Sequence, residues 1–305
     1  MALAHYHLPG LFEFYEFYCE FLPVWREHRE WFYNWCDIAS IYGASEGCLW
    51  GGGRTSLGKA DAREVLALMD EFGISARLTF SNSLLREEHL TDKKCNELCR
   101  LFERAKIPAG VIVHSDLLLE YLKEKYPALY LISSTTKVLT NFDDFLVELN
   151  RSDFKYIVPD FRLNKSIDQL ASLTQEEKDK VEFLCNECCD INCTSRKACY
   201  ENVSRKNLAN FSVPDSDEEI PDHKCTGKGG QGGYKFSKAM KNPAFISIQD
   251  IEKTYLPMGF TNFKIEGRGL GSAMLLEFIL YYMTKPEYQL QVREEIYLDS
   301  MLDLF

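Results

Sequence analysis
The sequence predicts a closed (β/α)8 barrel with an aromatic-rich helical segment at its amino end. After residue 37, short apolar runs rich in β-branched residues alternate with longer amphipathic stretches, the signature of repeated βα units. The runs number eight, which favours a closed barrel over an open doubly wound sheet. A chain of 305 residues with 46% hydrophobic content also suffices to bury the single core of a barrel of roughly 250 to 300 residues.

Residues 1–36 come first and fit neither half of that alternation. Phe12, Phe14, Tyr15, Phe17, Tyr18, Phe21, Trp25, Trp31, Phe32, Tyr33 and Trp35 crowd into them, so we expect a helical segment packed across the bottom or side of the barrel, or alternatively a partner-binding face. The barrel then occupies 37–305. Its expected strands are 38–42 (IASIY), 75–81 (SARLTFS), 109–114 (AGVIVH), 129–134 (LYLISS), 156–160 (YIVPD), 181–186 (VEFLCN), 244–248 (AFISI) and 262–267 (NFKIEG).

Helix starts are marked between them. Ser115 precedes DLLLEYLKEKY, Asn141 precedes FDDFLVEL with Asp144 at the third helical position, and Thr174/Glu177 and Ser247/Asp250 are spaced as capping boxes. Residues 200–243 form a long insertion, acidic and then glycine-rich, of the kind used as a lid or binding loop.

The amino terminus has no basic leader, and no stretch offers the roughly 18 uncharged residues that span a bilayer. A soluble, cytoplasmic protein is expected, with its 11 cysteines reduced. A net charge of −11 disfavours a broad nucleic-acid-binding face but allows a local basic pocket.

In a (β/α)8 barrel, active groups collect at the carboxyl ends of the strands. Those positions hold Cys48 and Arg54, Asn82, His114, Ser134 to Lys137, Asp160, and Lys264, Glu266 and Arg268. The sixth expected strand runs into CNECCDINCTSRKAC (185–199). There Cys189 and Cys193 are close enough to grip one metal centre, while Cys48 and Cys225 arrive from other loops on the same rim. Four such thiolates suit a four-iron cluster or a zinc ion. The Cys185/Cys188 spacing is that of a zinc knuckle, and Cys199 could substitute for Cys48 or Cys225. Cys19, Cys36, Cys95 and Cys99 fall on helical stretches and read as core thiols.

Arg54, Lys137, Lys264 and Arg268 could form a cationic pocket for carboxylates or phosphates. Alternatively, Lys264 and Glu266 point into the barrel as a satisfied ionic layer. His114 reads as a hydrogen-bonded core histidine. GRGLG (267–271) and GKGGQGG (227–233) lack the spacing of nucleotide-binding loops.

FKIEGR (263–268), Asn186-Glu187-x-Cys189-x3-Cys193-x2-Arg196, CLWGGGR (48–54), ISSTTK (132–137) and NPAFISIQDI (242–251) together resemble the peptidase U32 family, in particular a short, barrel-only branch. The resemblance implies a [4Fe-4S] protein that supports oxygen-independent hydroxylation of RNA bases or quinone precursors, some members using prephenate as the oxygen donor. It implies Cys48, Cys189, Cys193 and Cys225 as cluster ligands. This chain has Cys199 where the family pattern places a histidine.

The function expected is therefore redox or hydroxylation chemistry on a small anionic or aromatic substrate, with Arg54, Lys137, Asp160, Lys264, Glu266 and Arg268 as the acting side chains. The alternatives are a cluster-bearing scaffold or electron-transfer subunit docked through residues 1–36, and a hydrolase, for which the sequence holds neither H-E-x-x-H nor G-x-S-x-G.

Overall fold
The computed structural model describes residues 3–52, 58–211, 220–225 and 233–302. Its strands are β1 (Ala4–Pro9), β2 (Cys36–Gly43), β3 (Ser75–Phe80), β4 (Gly110–Val113), β5 (Tyr130–Ser133), β6 (Phe154–Ile157), β7 (Glu182–Leu184) and β8 (Asn262–Lys264). Every pairing is parallel, in the order β6-β5-β4-β3-β2-β1-β8-β7. A parallel bridge from Ile157 to Val181 joins the two ends of that order. The result is a (β/α)8 barrel.

Helices follow the strands: α1 (Tyr15–Glu27), α2 (Ala62–Phe72), α3 (Lys93–Phe102), α4 (Asp116–Lys125) and α5 (Phe142–Leu149). The short pair α6 (Ile167–Ala171) and α7 (Gln175–Lys180) follows β6. Between β7 and β8 come α8 (Arg196–Ala209), α9 (Phe236–Ala239) and α10 (Ile248–Asp250), and the chain ends in α11 (Ser272–Tyr282) and α12 (Gln289–Leu302). The expected caps are present. Ser115 accepts from the Leu118 amide, Asn141 from Asp143, and Thr174/Glu177 and Ser247/Asp250 close full capping boxes. Each such cap supports its helix by about 1 kcal/mol.

Two strand assignments need correction. The first barrel strand is residues Ala4–Pro9, inside the segment expected to be helical. It pairs with β2 on one side and β8 on the other. Its polar His7 faces a polar barrel interior, so the run AHYHLP lacks the apolar signal of a buried strand. Residues 244–248 are not a strand. The Ile246 amide donates to the Cys185 carbonyl at 3.0 Å, and Ser247 then caps α10, which runs into a single π-helical turn at Ile251–Tyr255.

The aromatic residues of the amino-terminal segment belong to the core. Phe12, Phe14, Phe17, Tyr18, Phe21, Trp25, Phe32 and Trp35 are buried. Trp25 and Phe32 rings meet at 4.6 Å, and Arg29 covers the outer face of Trp25 at 4.1 Å. Those rings are therefore not available as a docking face. Among the described residues, no helix is long and apolar enough to cross a membrane.

Candidate active site at the carboxyl end of the barrel
The inside of the barrel is built around one carboxylate. Glu182 accepts from Arg77 Nη1 at 2.6 Å and from Lys264 Nζ at 3.1 Å, and lies 3.5 Å from His7 Nε2. His7 Nδ1 is 2.7 Å from Ser40 Oγ. All five side chains are buried. Burial pushes the Glu182 carboxyl up, but the charges of Arg77 and Lys264 and the hydrogen bond from Arg77 outweigh it and hold the group well below the usual range. Burial, reinforced by Arg77, keeps His7 well below its ordinary value and therefore neutral. Burial also brings Lys264 down to about 8, against the pull of Glu182. Lys264 thus belongs to an inward ionic layer.

Above that layer lies a cavity of about 70 Å³ whose wall mixes apolar and polar side chains. Tyr42, Thr79 and Lys264 line it from the strands; Ser134, Thr135, Thr136, Glu187, Glu266 and Arg268 line it from the loops that follow. Thr79 Oγ1 and Thr135 Oγ1 are buried with no hydrogen-bond partner among the described residues. Tyr200, Val203 and Ser204 of α8 cover the cavity. That helix is pinned in place: Ser204 Oγ accepts from the Ser83 amide at 3.1 Å, and Asn207 Nδ2 donates to the Leu49 carbonyl at 2.8 Å. Gly52 lets the loop after β2 approach the end of β3, because a Cβ there would stand 2.9 Å from the Asn82 amide nitrogen.

At the start of α8, Arg196 Nη2 donates to Glu187 at 2.6 Å and Arg196 Nε lies 3.4 Å from Asp160. Burial raises the Asp160 carboxyl, with Arg196 opposing. Glu187 lies well below the ordinary range: burial raises it, but Arg196 and hydrogen bonds from the Cys189 amide and Glu266 prevail. The β7 and β8 ends are clamped together, since Asn186 accepts from the Glu266 amide at 2.7 Å and donates to the Glu266 carbonyl at 3.1 Å.

A second pocket, about 460 Å³, opens beside the first and shares Glu187, Glu266 and Arg268 with it. Cys188, Cys189, Cys193, Cys199 and Cys225 all line it, with His223. Arg162 holds the cysteine loop by donating to the carbonyls of Ile191 at 2.9 Å and Cys193 at 2.5 Å. Asn242 Nδ2 donates to the Cys189 carbonyl at 2.8 Å. Burial raises the Cys188 and Cys189 thiols. Among the described residues no three thiol, imidazole or carboxylate groups converge closely enough to hold one ion.

The remaining expected site residues lie elsewhere. Cys48 is buried with its Sγ 3.0 Å from Cys95 Sγ and does not line the thiol pocket, because the loop after β2 turns toward α3. Lys137 reaches away from the cavity to Glu148 at 2.6 Å and Asp116 at 3.7 Å. Asp160 also does not line it. Arg54 lies outside the described residues. His114 Nδ1 is 2.8 Å from Thr136 Oγ1, and burial, aided by Lys137, lowers it to about 4, as a neutral core histidine requires.

No protein-family model matches the chain, and no curated protein is similar to it in sequence. The solved structure of the U32 peptidase Mk0906 matches it with a TM-score of 0.52 at 12% identity, covering 88% of this chain and 94% of that one. The chain shares the U32 peptidase fold. At that identity the likeness is one of architecture, and the cavity and thiol pocket lie where (β/α)8 proteins carry their active groups. The residues that sequence reasoning passed over are His7, Thr79, Arg77 and Glu182. Arg77 in SARLTF and Glu182 in VEFL are lone charges inside buried strand runs, and that anomaly was the available signal.

Proposed function
We propose that this chain is a thiolate-ligated iron-sulfur barrel protein acting on a small anionic substrate at the barrel mouth. The observation that carries the reading is one pocket lined by Cys188, Cys189, Cys193, Cys199 and Cys225 and sharing a wall with the cavity above the ionic layer. Cys189, Cys193 and Cys225 would hold the cluster, with Cys188 or Cys199 as the fourth ligand. Thiolates on one zinc ion at about 2.3 Å must converge, whereas a four-iron cluster spreads its ligands over the cluster's own width. The unconverged thiols therefore suit the cluster better than zinc. When bound, the cluster would supply electrons or an open iron acting as a Lewis acid.

The chain's own residues supply the rest. Arg268 faces both pockets and offers a cation to a carboxylate. Glu187 and Glu266 both line the shared wall, and Tyr200, Val203 and Ser204 of α8 cover one side of the cavity. The hydrolytic alternative gains little. Ser40, His7 and Glu182 follow one another in the order of a triad, but all three are 0% exposed and lie beneath the cavity.

Anaerobic purification tests the proposal. A brown protein with about four iron and four sulfide per chain is expected; a colourless protein carrying stoichiometric zinc would overturn the cluster.

A further inference from the structure
The floor of the barrel-mouth cavity carries an amine in an unusual setting. Lys264, the last residue of β8, brings its Nζ to 3.1 Å from Glu182 and 3.9 Å from the centre of the Tyr42 ring, and its side chain is only 6% exposed. Burial and the nearby Arg77 guanidinium bring it to about 8 against the opposing Glu182. Near neutral pH a useful fraction is then free amine, which an exposed lysine hardly offers. A lysine desolvated beside a second cation is a recognised way of making a nucleophilic amine.

The walls point to what this amine would meet. Thr79 is 5% exposed, and its hydroxyl and that of Thr135 are buried without hydrogen-bond partners among the described residues. Two such donors call for an oxygen-bearing ligand. Arg268 lines the same cavity with its Nη1 3.5 Å from the buried Glu13 carboxylate, and the other donors of its guanidinium fork match a second carboxylate. A space of about 70 Å³ accepts roughly five water-sized groups, enough for a ligand of a few carbons.

We propose that Lys264 captures a small 2-oxo acid as an imine, with Arg268 on the carboxylate and the Thr79 and Thr135 hydroxyls on the oxygen at the carbonyl carbon. The nitrogen attacks that carbon, a C–N bond forms, and the carbonyl oxygen leaves as water. Counted from the ammonium, the products are one iminium and one water. Charge is unchanged, and nothing is oxidised or reduced. Glu182 therefore faces a single positive charge before and after the step, while Arg77 keeps its own hold on the same carboxylate. The inference rests on the barrel mouth being the substrate end, as in the proposed function, and not on the thiol pocket.

Whole protein incubated with pyruvate and sodium cyanoborohydride should acquire one reduced adduct that peptide mapping places on Lys264. Lys264→Arg, which preserves the positive charge facing Glu182, should lose it. Methyl pyruvate, which keeps the 2-oxo group but loses the negative charge, should label Lys264 about tenfold more slowly than pyruvate, and Arg268→Gln should slow pyruvate labelling by about the same factor. Adducts scattered over surface lysines with Lys264 unmodified in the wild type would overturn the imine. Equal rates for pyruvate and methyl pyruvate would overturn the 2-oxo acid. Iron content is read separately, so a brown protein unlabelled at Lys264 fails only here, and a labelled but colourless one fails only as a cluster protein.

Discussion
Arg77 and Glu182 meet at 2.6 Å across the inside of the barrel, from β3 and β7, two strands that share no hydrogen bond. Both are buried, and Glu182 also carries Lys264. Removing the carboxylate strands two buried cations, which costs far more than the pair contributes over an apolar substitute. Glu182→Gln is expected to destabilise the fold by about 3 to 5 kcal/mol. Urea unfolding measures it, and a loss below about 1 kcal/mol would show that water reaches this layer.

Acid should weaken the fold first through two histidines. Burial, then Arg77, keeps His7 well below the ordinary histidine value, and burial, then Lys137, brings His114 to about 4. In the unfolded chain each takes its proton near pH 6.5. Below that value the unfolded state binds protons that the folded state refuses, so stability is whole above about pH 6.5 and falls as pH drops toward the folded values. The slope is about 1.4 kcal/mol per pH unit for each histidine. Glu182, whose folded value is depressed, adds to the loss only below about pH 4.3. Urea midpoints at about pH 7, 6 and 5 test the histidines; a flat profile would mean that they charge in place.

Val138, after the cavity-lining Ser134, Thr135 and Thr136, adopts φ 57° and ψ 53°. A β-branched residue in the left-handed region carries a penalty of about 1 to 2 kcal/mol. Glycine removes it and returns part as chain entropy. Val138→Gly should therefore raise stability by about 0.5 to 1 kcal/mol, seen as a higher melting temperature. A drop would show that the Val138 side chain packs more favourably than its backbone is strained.

The (β/α)8 alternation was legible because seven of the eight strands read as apolar, β-branched runs, whereas β1 packs Ala4, Tyr6 and Leu8 into the same core from between two histidines. β1 was hidden because the barrel interior is polar, so His7 gave its run the look of a loop. AFISI misled in the opposite sense: its apolar residues are buried in the layer around the barrel, but Ser247 stops extension by capping a helix. For the site, position at a strand end was readable and direction was not. Lys137 and Cys48 both follow strand ends, yet one turns out to Glu148 and the other in to Cys95. Arg268, Glu266 and Lys264 reach the cavity because β8 ends directly beneath it.

The same distinction separates the cysteines. Cys48 packs against Cys95 in the core, whereas Cys189, Cys193 and Cys225 line the thiol pocket. Cys48→Ala deletes one buried atom and its sulfur contact, so it should cost about 1 kcal/mol of stability and leave iron and sulfide at the wild-type level. Cys193→Ala, in a loop fixed through backbone carbonyls by Arg162, should fold normally and lose most of its iron; Cys189→Ala and Cys225→Ala should do the same. Of Cys188→Ala and Cys199→Ala, the one that loses iron identifies the fourth ligand. Metal analysis beside urea midpoints separates the two effects, because a ligand lowers iron at constant fold and a core thiol does the reverse. Iron lost from Cys48→Ala and retained in Cys225→Ala would move the cluster to the far side of the barrel mouth.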